Sequence, residues 1–177
     1  MKNLLILASG LFLLSCGKSQ ETSSKASSSN DTSAIVMLDA SNEYTPVLDK
    51  TMDNLAQKNV AAAVASYADS IQFVHPSGAI TKTKKELETT LTARISQFSS
   101  LSYTGRVYIA FDVKKSTQKN VNPGVYVTGW MWSTVKNAKG DSVMTPMTLT
   151  MHFNKDKKVD FAYSTYDLKG RSDLMAK

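Results

Sequence analysis

The chain has 177 residues, and its 21 Lys and Arg against 15 Asp and Glu give a formal charge of +6. Hydrophobic side chains make up 42% and charged ones 20%, with a single cysteine. That balance excludes a wholly disordered chain, a collagen-like repeat and a disulfide scaffold, and the length suits one domain with a few dozen residues to spare.

In chain order, one cation, Lys2, precedes a mostly apolar run from Leu4 to Leu14. That run is about half the roughly twenty residues needed to cross a hydrocarbon core, so residues 1–15 are predicted to be an export signal rather than a permanent transmembrane helix. The run ends in Leu13-Leu14-Ser15-Cys16-Gly17, which resembles the lipobox of bacterial lipoproteins. The resemblance implies cleavage before Cys16 and acylation of its thiol and new amine, which would hold the protein on a cell-envelope membrane facing the periplasm or the outside. Each buried methylene contributes about 0.8 kcal/mol, so several acyl chains make a lasting anchor. The chain's only thiol stands at the one position lipidation requires.

Residues 16–33 follow as a Ser-rich segment whose only apolar side chain after Cys16 is Ala26. Nothing there offsets the entropy of ordering, so a flexible tether is expected, reaching roughly 20–25 Å at about 5–6 Å × √n. The folded domain is expected over residues 34–177.

Within that domain Ser41–Lys58 is predicted as a helix from the spacing of Leu48, Met52 and Leu55, with Pro46 tolerated in the first turn. Asn59 is placed to cap a second helix, Val60–Ala68, with Val60, Val64 and Tyr67 in one stripe. A short strand puts Ile71, Phe73 and His75 on one face before Pro76-Ser77-Gly78 ends it. Thr83-Lys84-Lys85-Glu86 reads as a capping box opening a third helix, with Leu87, Leu91, Ile95 and Phe98 inward. After Ser100 the period changes to two. Leu101–Val113, Val125–Thr134, Val143–Phe153 and Val159–Tyr166 read as strands joined by turn-rich links. Helices followed by an antiparallel meander make an α+β layout.

Residues 59–69 (Asn-Val-Ala-Ala-Ala-Val-Ala-Ser-Tyr-Ala-Asp) and 71–78 (Ile-Gln-Phe-Val-His-Pro-Ser-Gly) resemble the nuclear transport factor 2-like superfamily, which includes SnoaL-like polyketide cyclases and ketosteroid isomerase. The likeness covers residues 41–167 in element order. It implies a cone-shaped roll, three N-terminal helices wrapped by a strongly curved, mainly antiparallel sheet, with an apolar pocket open at one end. It also implies a homodimer formed through the outer sheet surface.

In steroid-isomerase members the strand-end position before Pro carries the proton-moving aspartate, and here it is His75, which is competent as a general base near pH 7. Of the isomerase tyrosines, Tyr67 is retained, while Thr51 and Leu91 stand at the other two positions. The late strand Val143–Phe153 holds no carboxylic acid to complete an oxyanion site. His75 and His152 have no metal-ligand spacing, and neither a glycine-rich phosphate loop nor a Gly-x-Ser-x-Gly elbow is present. No metal and no cofactor is expected. The Lys clusters at 82–85 and 155–158 read as solvated rims, and nucleic acid is disfavoured by the export signal.

The leading expectation is therefore a lipid-anchored envelope protein that binds a small apolar or amphipathic molecule. Leu48, Met52, Phe73, Tyr103, Met147 and Met151 are the expected pocket wall, since Met and aromatic linings adapt to irregular ligands. The alternatives are a SnoaL-like isomerase, cyclase or dehydratase using His75, and a dimeric interaction module whose pocket is filled by its own side chains. Trp130 and Trp132 bear on the last, because they share a strand face with Tyr126 and Thr128.

Overall fold

Helix α1 (Thr45–Ala56) follows from the spacing of Leu48, Thr51, Met52 and Leu55, which bury one stripe. Its first turn holds Pro46, and the Asn42 side-chain oxygen accepts from the amides of Tyr44 and Thr45, both at 2.9 Å. The computed structural model describes residues 34–119 and 121–176. The predicted export signal, the predicted acylation site Cys16 and the predicted Ser-rich tether lie outside the described residues.

The next element differs from its expectation. The second helix, α2, is a single turn (Val60–Ala63) under the Asn59 cap, and Tyr67 already opens strand β2 (Tyr67–Val74). Tyr67 pairs with Val159, and the Val159 amide donates to the Ser66 carbonyl at 3.0 Å. Tertiary pairing here overrides the helix preference of an alanine-rich run. The Pro76-Ser77-Gly78 turn, with Gly78 at φ +82°, returns the chain into β3 (Ile80–Thr83). Thr83 and Glu86 form the expected capping box at the head of α3 (Lys84–Ile95).

The alternating stretches after Ser100 form β4 (Ser100–Lys115), β5 (Gly124–Lys136), β6 (Ser142–Phe153) and β7 (Val159–Tyr166), an antiparallel meander. Gly105, at φ +59°, marks a bulge in β4 where the register slips between Thr104 and Val107. Alternation splits β5 cleanly. Val127, Gly129, Met131, Ser133 and Val135 are buried, while Trp130 and Trp132 remain 44% and 47% exposed on the opposite face. The two tryptophans therefore do not pack into the core.

The geometry of a cone is not what the chain adopts. Among the described residues there are four helices, and the last, α4 (Leu168–Met175), follows β7 instead of preceding the meander. The sheet is an open one of seven strands in the order β1-β4-β5-β6-β7-β2-β3, where β1 is Ala34–Met37. Its topology gives the reason. β2 joins β7 in parallel, so the β2–β3 hairpin extends the sheet at one end, while β1 extends it beyond β4 at the other. Growth outward at both ends leaves β1 and β3 as free edges instead of closing them together.

Helix α1 is fixed to the sheet by charge as well as by its apolar stripe. Arg106 on β4 reaches Asp49 at 2.8 Å and Asp53 at 2.7 Å, and the Tyr108 hydroxyl donates to Asp49 at 2.5 Å. The pinned Tyr108 ring lies over Gly129, where an added Cβ would stand 2.9 Å from the ring and 3.1 Å from Leu48. Gly129→Ala is therefore expected to destabilise the domain by about 1–3 kcal/mol, the usual cost of overpacking. Urea denaturation checks this, and an unchanged midpoint would show that the Tyr108–Asp49 clamp is not rigid.

Candidate functional site

The residues that α1, β2 and α3 turn away from solvent do not fill the space between them. Met52 and Leu55 of α1, Phe73 of β2, Ile95 of α3 and Tyr103 and Met147 of the sheet line an apolar cavity. Its volume is about 50 Å³, room for a few waters or one small group.

Polar groups enter at few points. Tyr67 and Tyr103 line the cavity, and burial raises the ionisation of both phenols, Tyr103 to about 12, so both stay protonated donors. Among the described residues no hydrogen bond engages either hydroxyl. Thr51, by contrast, is already used: its hydroxyl lies 2.8 Å from the Val47 carbonyl and 3.3 Å from that of Ala63.

The cavity's remaining polar wall is cationic. Arg94 of α3 donates to the Tyr166 hydroxyl at 2.9 Å. Arg171 of α4 lays its guanidinium 3.7 Å from the Tyr166 ring centroid and donates to Ser133 at 2.7 Å. Burial pulls the Arg171 ionisation below the usual arginine value, yet an arginine stays charged at neutral pH. Arg94, Phe98, Tyr166 and Arg171 also line a surface groove beside α4, so this end of the cavity adjoins the groove and is taken as its mouth.

Of the expected pocket wall, Met52, Phe73, Tyr103 and Met147 line the cavity, as does Tyr67. Leu48 and Met151 are fully buried in the core but do not line it. His75 does not line it either. It is 2% exposed, with Nε2 2.7 Å from the Thr81 hydroxyl, its ring tilted on Phe73, and Nδ1 without a partner. His152 is buried with Nδ1 2.5 Å from Asp160 and Nε2 3.2 Å from the Pro123 carbonyl, so neither nitrogen is open to a ligand. Gly124, at φ +138°, permits this packing, since a Cβ there would lie 2.5 Å from Nε2.

Sequence reasoning missed Arg94, Tyr166 and Arg171. Arg94 reads as an ordinary cation in the last turn of a helix. Arg171 lies beyond the last strand, where no pattern shows that the chain folds back over the sheet. Among the described residues, no cluster of His, Cys, Asp or Glu could hold a metal ion, and no helix is long and apolar enough to cross a membrane.

Solved structures of other proteins share this fold. A candidate SnoaL-like polyketide cyclase from Shewanella putrefaciens CN-32 superimposes with a TM-score of 0.59 at 13% identity, covering 76% of this chain and 86% of that one. An NTF2-like protein of unknown function from Burkholderia pseudomallei K96243 gives 0.58 at 9%, covering 77% and 99%. TerC, co-crystallised with polyporic acid, gives 0.58 at 10%, covering 76% and 98%. No family profile and no curated protein matches the sequence. The chain thus has the nuclear transport factor 2-like, SnoaL-like fold.

Burial and the nearby Arg94 cation lower the His75 ionisation below its ordinary 6.5. The unfolded chain then binds the proton more readily than the folded one, so stability is complete above about pH 6.5 and falls as the pH drops below it. Urea denaturation at pH 8 and pH 5.5 should show a smaller acid loss for His75→Gln than for the parent chain. An identical loss would mean that His75 is hydrated in the folded state.

Proposed function

We propose that this domain binds a small apolar or amphipathic molecule in the cavity walled by α1, α3 and the sheet. The observation that carries the reading is the pair of unengaged phenols, Tyr67 and Tyr103, in an otherwise apolar wall. Neither hydroxyl is sealed among other atoms, so both face the void as donors that a ligand can meet. Cys16 is the proposed acylation site, which would hold the domain at the cell envelope. The sequence alone supports that part.

Self-association is proposed through the outer face of β4 and β5. Val107, Ile109, Trp130 and Trp132 are exposed there, and the neighbouring positions Thr128, Thr148, Thr150 and Thr165 bring no charge to oppose a second copy.

A second reading, an enzyme of SnoaL type, draws support from the names of several structural neighbours and from the unpartnered Nδ1 of His75. Against it stands the placement of His75 outside the cavity lining, with its other nitrogen on Thr81. A base must reach the proton it moves.

Native mass spectrometry of the full-length chain, purified from the membranes of its own cells, tests the three parts together. The expected spectrum shows a chain beginning at an acylated Cys16, a dimer, and a small-molecule adduct lost on denaturation. An unprocessed Met1, a monomer at all concentrations, or an empty protein would each remove the corresponding part. Should an adduct be consumed over time, His75→Ala decides between the readings, abolishing turnover only if the domain is an enzyme.

A further inference from the structure

Arg171 presents five N–H donors, yet among the described residues only one finds a hydrogen-bond acceptor, the Ser133 hydroxyl. Its side chain is 8% exposed, and its buried Nε has no partner. Arg94, the second guanidinium at the same end, donates to Tyr166, the residue whose ring Arg171 covers. Two cations thus share one tyrosine at the mouth of an apolar cavity.

No carboxylate of the chain pairs with either arginine among the described residues. Asp167, the acid adjoining Tyr166, caps α4 by accepting from the Gly170 amide at 3.1 Å. The contrast within the molecule is Arg106, which has two aspartates at hydrogen-bond distance. The chain therefore gives one part-buried arginine two paired acids and gives the more deeply buried one no ion pair, only the charge of Asp167 beyond hydrogen-bond reach. Like charges at one site and desolvation both raise the energy of this arrangement, and an incoming anion would relieve both.

We infer that the cavity receives a small carboxylic acid, with its carboxylate on Arg171 and Arg94 at the mouth and its apolar body directed inward onto Met52, Phe73 and Met147. The inference deepens the ligand-binding reading and rests on it. A planar guanidinium fork matches a carboxylate in two parallel bonds. Arg171 and Arg94 line the surface groove as well as the cavity, which places the charge on the side nearer water and the body on the apolar side. The small inner volume suits a compact apolar group, not a long chain.

Calorimetric titration of the full-length chain with phenylacetate and with phenylacetamide tests this, because the two probes share shape and differ in charge. Phenylacetate is expected to bind at least tenfold more tightly, with an affinity that weakens as salt is raised. Arg171→Gln and, as a separate variant on another helix, Arg94→Gln should each bring the acid-to-amide ratio toward one. Circular dichroism confirms that each variant is folded, and the comparison of the two probes on the parent chain stands without them. Equal affinities, or a preference for the amide, would overturn the inference while leaving the ligand-binding reading intact. Binding of neither probe overturns it too, and takes the reading with it if the native spectrum is also empty.

Discussion

The buried Arg171 side chain, held between the Tyr166 ring and the Ser133 hydroxyl, is the constraint on which the site depends. Ser133 is fully buried in the middle of β5, so the contact ties the C-terminal helix to the inner face of the sheet. The other end of α4 is tied as well, since Asn137 donates to the Leu174 carbonyl at 3.2 Å. These two bonds decide what kind of end the cavity has. Without α4 the space behind Met147 would open as an apolar trough. With α4 it closes against a guanidinium, and an apolar void becomes a void with a charged rim.

Placing a cation there has a cost that the rest of the fold must carry. The apolar stripe of α1, the clamp of Arg106 on Asp49 and Asp53, and the antiparallel pairing of β4 to β7 supply a scaffold that does not depend on the cavity being filled. Stability and binding are thus set by different groups. Such separation lets polar atoms at a site go without partners in the chain, as the Arg171 Nε does. The two histidines lie on the structural side of that division. His152 is sealed between Asp160 and Pro123, and His75 is packed on Phe73 with Thr81 on its far nitrogen.

The sequence read most clearly where one physical signal dominated. Alternation in β4 to β7, the Thr83–Glu86 box and the Leu48–Met52–Leu55 stripe each follow from local periodicity or local hydrogen bonding, and each is found. It read poorly where long-range pairing decides. The alanine-rich run after Asn59 favours a helix locally, and only its pairing with β7 turns Tyr67 into strand. β1 and β3 are four residues each, too short and too exposed to show a period. α4 is eight residues, contains Gly170, and buries only Arg171 and Leu174, so it carries no apolar stripe. The site inherits this division. Its apolar wall was legible from hydrophobic faces, whereas its charged mouth was not, because the mouth is assembled by α4 folding back over the sheet. His75 was singled out by its place in a family-like motif, which fixes a position along a strand and says nothing of which side of Phe73 the ring occupies.

A crystal structure of the protein purified from its own cells, with no ligand added, tests the central claim most directly. The account predicts density for an organic anion inside the cavity, its charged end against Arg171 and Arg94 and its remainder among the apolar side chains. A cavity closed by its own side chains, with Arg171 turned out to solvent or paired with an acid of the chain, would contradict it.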